Sequence, residues 1–133
     1  MYRVVLDTNV LISAVISNGK PRQLLNAVND KKYVLVTSSE ILNELAGVLR
    51  RPKFQMNEDE IMQILFALVS SSDIKIVKSK FKVVKEDPDD DVIINTAYDG
   101  QADYIVSGDG DLLRVKKFKN IQIVTAVEML KML

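Results

Sequence analysis

Four acidic residues occupy positions in this sequence from which carboxylate chemistry could arise. Asp7 and Asp109 each follow a short apolar run, Asp90 opens one helical pattern, and Glu44 lies inside another. Carboxylates that meet in a fold repel one another unless a cation neutralises them. Sites made only of oxygen ligands suit Mg²⁺ or Mn²⁺, and such ions activate water and stabilise phosphoryl oxygens. If the four acids converge, the pattern therefore predicts metal-assisted hydrolysis of a phosphate ester.

Composition excludes most other catalytic chemistry. The 133 residues contain no histidine and no cysteine, which excludes His-dependent triads, thiolate metal sites and disulfides, and we expect a reducing cytoplasm. The 18 basic and 18 acidic residues cancel, so a polyanion partner would need local basic patches or bound metal. The N-terminus does not read as a signal peptide, and no apolar run reaches the roughly 18 residues of a membrane span.

The elements that must position these acids are short apolar strands alternating with amphipathic helices. This alternation predicts a single α/β domain over residues 1–133, with a mainly parallel sheet covered on both faces. Helical patterns follow Pro21 and span 37–49, 57–69, 87–100 and 125–130. Capping boxes are predicted from Thr37 to Glu40, at the start of the 57–69 helix and at the start of the last helix. The segment Lys78–Glu86 is either a loop or a poorly formed strand. The predicted strands are Arg3–Leu6, Tyr33–Val36, Ile74–Val77, Tyr104–Val106 and Ile121–Val124.

Right-handed crossovers bring the carboxyl ends of parallel strands to one edge of the sheet, and ligands bind outside that edge where strand order reverses. Asp7 and Asp109 follow strands directly, and Asp90 lies in the first turn of a helix that begins at the same edge. Helical spacing from Ile41 predicts that Glu44 points toward the core. The sequence thus predicts that all four carboxylates converge.

Each acid also has a structural explanation. Asp7 could form an Asx-turn or an N-cap, and Glu44 could be a solvated helical residue. Acids in DPDDD, around Asp90, suit the positive end of a helix dipole whatever their function, and GDGD, around Asp109, suits a tight turn. Only the joint placement of the four on one edge favours a metal site.

In these motifs the sequence resembles the PIN-domain ribonucleases found as toxins of prokaryotic toxin–antitoxin pairs. The resemblance covers nearly the whole chain, through VVLDTNVLIS, SSEILNELAGVL, DPDDDVIINTA, ADYIVSGDGDLL and IQIVTAVEML. It implies a three-layer α/β/α sandwich and an endoribonuclease that cleaves single-stranded RNA with Mg²⁺ or Mn²⁺. It also implies a homodimer and an antitoxin protein as partners, and no membrane.

The resemblance assigns the family's catalytic and metal-binding acids to Asp7, Glu44, Asp90 and Asp109 and an additional metal-binding acid to Asp111. Asn9 and Ser107 match the supporting amide and hydroxyl positions. Asp91 stands where many relatives have asparagine, and the apolar spacing of Ile93 and Ala97 favours Asp90 over Asp91 as the third acid.

Three classes of function fit the sequence. The first is the metal-dependent ribonuclease, with lysines of segments 78–85 and 114–119 as candidate phosphate contacts. Tyr98, Phe81 and Phe118 are candidate base-stacking residues, although core packing explains them equally. The alternatives are a non-catalytic PIN-like module that binds RNA or protein, and a phosphatase with Asp7 as nucleophile. The phosphatase needs an acid two residues after Asp7, where this chain has Asn9.

Overall fold

A computed structural model of the chain describes residues 1–85 and 87–133. These residues form six strands and seven α-helices, and helices and strands alternate through most of the chain. In chain order the elements are β1 (Arg3–Leu6), α1 (Thr8–Ile16), α2 (Lys20–Asn29), β2 (Val34–Ser38), α3 (Ser39–Leu49), α4 (Glu58–Ser71), β3 (Ser72–Lys75), α5 (Asp91–Asp99), β4 (Tyr104–Val106), α6 (Gly110–Val115), β5 (Lys117–Phe118), β6 (Ile121–Val124) and α7 (Ala126–Lys131).

The six strands form one sheet in the order β3-β2-β1-β4-β6-β5, parallel except for β5, which pairs antiparallel with β6. Val5 of β1 pairs with Val36 on one side and Ile105 on the other, and all three side chains are fully buried. Strand order reverses at β1, and right-handed crossovers therefore place α5 on the opposite face from α1–α4. The predicted α/β fold with a mainly parallel sheet is confirmed.

Local sequence signals predicted several element boundaries correctly and others wrongly. The capping boxes Asn57–Glu60 and Thr125–Glu128 are both formed. The predicted box from Thr37 is wrong, because Ser38 is the N-cap of α3 and Thr37 is buried in the extended β2. Strand β3 starts two residues earlier than predicted, because α4 continues to Ser71 and passes into the strand without a loop. Helices α1 and α6 and strand β5 are absent from the predictions.

Gly100 ends α5 as predicted, but packing explains its position better than backbone strain. Its φ is −86°, and the left-handed residue is the following Gln101, with φ 55°. A Cβ at position 100 would lie 2.5 Å from Cγ1 of Val36 in β2. The end of α5 therefore approaches the sheet so closely that only glycine fits there.

The ambiguous segment Lys78–Glu86 contains no strand over residues 78–85, and Glu86 lies outside the described residues. Its backbone N–H groups donate to side chains of α5 instead of to another strand. Asp99 accepts from Lys78 and Ser79 at 2.6 and 2.9 Å, and Asn95 exchanges two bonds with the backbone of Phe81 at 2.9 and 3.1 Å. We call residues 78–84 the strap. It runs along α5, from the end of that helix toward its beginning.

None of the helices formed by the described residues is long and apolar enough to cross a membrane.

Candidate metal centre

The topology brings Asp7 and Asp109 together at the point where strand order reverses. Asp7 follows β1 and Asp109 follows its neighbour β4, so both lie at the carboxyl edge of the two central strands. Ser107 links them, because its hydroxyl donates to Oδ2 of Asp7 at 2.5 Å and accepts from the Asp109 N–H at 2.9 Å. Ser107 is fully enclosed, with 1% of its surface exposed. Two loops 100 residues apart in sequence are thus fixed against each other.

Asp7 also caps a helix. Its Oδ1 accepts from the Val10 N–H at 2.8 Å and begins α1, while only 4% of the residue is exposed. Burial raises the pKa of the Asp7 carboxyl above its ordinary value, against the hydrogen bonds from Ser107 and Val10. The carboxylates of Asp109 and Glu44 add to this increase. Asp7 therefore caps α1 and also lies close to other acids.

Two further carboxylates join Asp109 in a group of acids that could hold a metal ion. Asp87, Asp90 and Asp109 each place a carboxylate oxygen within 4.8 Å of the other two. Asp87 and Asp90 come from the 3₁₀ turn that precedes α5, where Asp87 is the N-cap of that turn. Oδ2 of Asp90 is buried and has no hydrogen-bond partner among the described residues. We call Asp87, Asp90 and Asp109 the acid cluster.

The electrostatics of the acid cluster follow from this crowding. Burial, followed by the neighbouring Asp109 carboxyl, raises the pKa of Asp90 to about 8, and Asp87 and Asp7 contribute in the same direction. The Asp90 carboxyl and the Asp111 N–H in turn hold the pKa of Asp109 below its ordinary value. A proton shared between neighbouring acids relieves the repulsion here, and a divalent cation would relieve it more completely.

The structure places the other predicted site residues at different distances from the acid cluster. Glu44 is exposed, which corrects the prediction that it points to the core, because Ile41, Leu42 and Leu45 occupy the buried face of α3. It remains close enough to influence the pKa of Asp7. Among the described residues, Glu44 and Asp7 lie outside the cluster of three.

Asp111 and Asn9 flank the centre. The Asp111 carboxylate forms an ion pair with Arg114, and its N–H donates to Oδ1 of Asp109 at 2.9 Å, so it orders the loop that carries Asp109. Asn9 is exposed and lines a groove together with Ser107 and Asp109.

Asp91 faces away from the acid cluster. Its Oδ1 accepts from the N–H groups of Val83 and Val84 at 2.9 and 2.8 Å, which fastens the end of the strap. The preference for Asp90 over Asp91 is compatible with this geometry. Asp87 is absent from the predicted site residues, although its spacing of three residues from Asp90 was a signal that both could lie on one side of a turn.

The acid cluster fits a hard divalent cation. Its ligands would be carboxylate oxygens, which Mg²⁺ and Mn²⁺ prefer. Within residues 1–85 and 87–133, the buried Oδ2 of Asp90 has no hydrogen-bond partner and is free to be such a ligand. Oxygens on opposite sides of an octahedral Mg²⁺ lie about 4.2 Å apart. Carboxylates within 4.8 Å of one another need only small rotations to share such an ion.

Comparison with known proteins assigns the family. The PIN domain family model matches residues 3–111, a range that includes β1, the acid cluster and the loop after β4. The chain belongs to the PIN domain family. PIN domains are generally nucleases, and PIN nucleases usually use divalent metals.

Two relatives place this PIN domain among known proteins. An uncharacterised protein of Methanocaldococcus jannaschii is 40% identical over 118 residues, covering 86% of this chain and 75% of the relative. A crystal structure of VapBC2 from Rickettsia felis, bound to a DNA fragment from their promoter, contains a chain with TM-score 0.62 and 18% identity. The match covers 91% of this PIN domain and 96% of that chain, and at this identity it shows a shared fold.

Proposed function

We propose that this PIN domain is a divalent-metal-dependent endoribonuclease that cleaves single-stranded RNA. The observation that carries the proposal is the acid cluster at the reversal of strand order, where a buried carboxylate oxygen of Asp90 has no hydrogen-bond partner in the part of the chain that the structure describes. Asp87, Asp90 and Asp109 would hold Mg²⁺ or Mn²⁺ there, with Asp7 and Glu44 beside them. Bound metal supplies a positive charge for the phosphoryl oxygens and lowers the pKa of a coordinated water.

The chain's own residues prepare this site. Ser107 fixes the Asp7 carboxylate and the loop that carries Asp109, so both acids keep their positions without metal. The Asp90 carboxyl and, after it, the Asp111 N–H hold the pKa of Asp109 below its ordinary value, which favours the ionised form. Asn9, exposed in the adjoining groove, is placed to orient a phosphate or ribose by its amide. Asp91 contributes by positioning the strap, and we do not assign it to the metal.

Cleavage and metal binding test the proposal separately. The purified protein should cut a labelled single-stranded RNA with Mg²⁺ or Mn²⁺ and should leave it intact in EDTA. Thermal melts give the second readout: Mn²⁺ at about 100 times its dissociation constant should stabilise the fold by about 2.7 kcal/mol. Undiminished cleavage in EDTA by a clean preparation would contradict the metal mechanism. Metal binding with RNA binding but no cleavage would favour the non-catalytic module.

We further propose that the protein is the toxin of a pair and is bound by an antitoxin. The shared fold with VapBC2 supports this idea, and an apolar groove between α1, α2 and α4 offers a surface for a partner helix. The resemblance also favours a homodimer. Co-expression with the product of an adjacent gene, followed by size-exclusion chromatography with light scattering, tests both assemblies. A monomer that retains no co-expressed protein would contradict them.

A further inference from the structure

A groove with basic edges lies between the strap and the start of α5, next to the turn that carries two acids of the acid cluster. Its apolar floor includes Phe81, Val84 and Val92, and its volume is about 600 Å³, within the usual range for a bound small molecule or base. Pro88 and Asp91 also line it, and both are next in sequence to members of the acid cluster. The groove therefore reaches the turn that carries Asp87 and Asp90.

Lysines follow the strap in a regular pattern. Lys78, Lys80 and Lys82 are exposed, while the intervening Ser79 and Phe81 are half-buried against α5. Lys80, Lys82 and Lys85 line the groove, and no salt bridge involves any of the three within residues 1–85 and 87–133.

The strap is held in place by side chains of α5 rather than by a sheet. Asp91, Asn95 and Asp99, spaced by four along the helix, bind its backbone at successive points. The lysines are thus displayed on a fixed backbone, which lowers the entropic cost of using them to bind a ligand. Among the described residues that line the groove, Asp91 is the one acidic residue. Its Oδ1 already accepts two backbone N–H groups.

We propose that this groove binds the single-stranded RNA next to the cleaved phosphate, with a base on the apolar floor and backbone phosphates on Lys80, Lys82 and Lys85. The assignment rests on the proposed function, because it takes the acid cluster as the point of cleavage. Charge complementarity identifies the occupant: the whole chain has no net charge, yet residues 77–85 contain four lysines and no acid. The apolar floor suits a base, which an inorganic polyanion would lack.

Binding measured without cleavage tests the groove independently of catalysis. A fluorescein-labelled single-stranded RNA is titrated in EDTA with wild type, with the triple variant K80Q/K82Q/K85Q and with the control K31Q/K32Q/K131Q. The control removes the same charge from exposed lysines before β2 and at the end of α7. Each lost phosphate contact on a single strand reduces the slope of log K against log salt by about 0.7. The groove variant should therefore lose about 2 in slope and bind roughly 10- to 100-fold more weakly near 0.1 M salt.

The control should bind much like wild type, and melting curves of both variants verify that the fold is kept. Equal binding by the two variants would overturn the groove assignment. Two further probes define the occupant. An abasic strand of the same length should bind wild type more weakly, and equal affinity would refute the base site on the floor. A polyglutamate peptide serves as the second probe. If it binds wild type as tightly as RNA does, and K80Q/K82Q/K85Q binds it correspondingly more weakly, the groove is a protein-binding site and the proposal is wrong.

Failure of this proposal is distinguishable from failure of the nuclease. If wild type binds RNA through these lysines but does not cut it with Mn²⁺, the groove is supported and the proposed activity is refuted. If wild type cuts RNA and the triple variant binds like the control, the activity is supported and the groove is refuted.

Discussion

Residues 87–99 carry two sets of carboxylates that differ in what their oxygens contact. Asp91 and Asp99, together with the amide of Asn95, face the strap, and their oxygens accept backbone N–H groups. Asp87 and Asp90 face Asp109, and one oxygen of Asp90 has no partner among the described residues. The two sets are adjacent in sequence, because Asp90 of one set is followed directly by Asp91 of the other.

The difference between them is visible in their proton affinities. Hydrogen bonds from Ser79 and Lys78 hold the pKa of Asp99 below its ordinary value, in spite of partial desolvation. Burial and neighbouring acids raise the pKa of Asp90 to about 8. Acids that accept the N–H groups of the strap act as structural fasteners. Acids that face one another, one of them with an oxygen that has no partner among the described residues, are suited to a cation. The same residue type thus serves opposite purposes on opposite sides of one helix start.

Substitution of adjacent residues gives the largest expected effect and tests the division directly. Asp90→Asn should reduce cleavage more than about 100-fold, equivalent to about 2.7 kcal/mol of transition-state stabilisation, because a charged ligand of the proposed metal is lost. Asp91→Asn should change it little, since the amide keeps an oxygen for the Val83 and Val84 N–H groups. Single-turnover rates at saturating Mn²⁺ measure both. Equal losses would show that Asp91 also belongs to the centre.

Stability should respond to the fasteners with a smaller effect. Asp91→Ala leaves the N–H groups of Val83 and the buried Val84 without an acceptor, which should lower the free energy of unfolding by about 1–3 kcal/mol. The matched control is Asp89→Ala, an exposed acid of the same turn, for which we expect a change of no more than about 0.5 kcal/mol. Urea unfolding in EDTA measures both. An equal loss of unfolding free energy in Asp89→Ala would mean that the bonds from Asp91 to the strap do not specifically stabilise the fold.

The smallest effect concerns pH. Because the folded pKa of Asp90 is raised, the native state binds more protons than the unfolded state, and stability without metal should fall as pH rises from about 5 to 8. Solvent screening at this half-buried position limits the effect to the order of 1 kcal/mol. Asp90→Asn should flatten the profile, and it should stabilise the metal-free protein most at pH 8.

Melting curves in EDTA across this range provide the measurement. Asp90 is a cleaner probe than Asp7, because Asp7 also caps α1 and its replacement removes a stabilising bond. A profile with the same slope in wild type and Asp90→Asn would mean that Asp90 does not carry the repulsion.

Sequence patterns predicted much of the fold, because strands and helix starts depend on nearby residues and the parallel sheet follows from the order of the elements. Apolar runs indicated the positions of five strands, the boxes at Asn57 and Thr125 marked two helix starts, and alternation implied the parallel sheet. Parallel topology then implied that Asp7 and Asp109 share an edge. Helix α1 was missed, although Asp7 as N-cap and the spacing of Val10, Leu11 and Ala14 carried its signal.

The sequence by itself determined which chemistry is possible here: oxygen ligands, no thiolate or imidazole, and acids beside the carboxyl ends of strands. Only the tertiary structure decided how the acids divide. Whether a carboxylate has donors depends on backbone brought to it by the fold, as Val83 is brought to Asp91 and Ser107 to Asp7. The fold likewise decides that Asp87 belongs to the acid cluster and that Glu44 is exposed. Residue type and spacing define the charges, whereas packing of distant segments sets the neighbours that each charge meets.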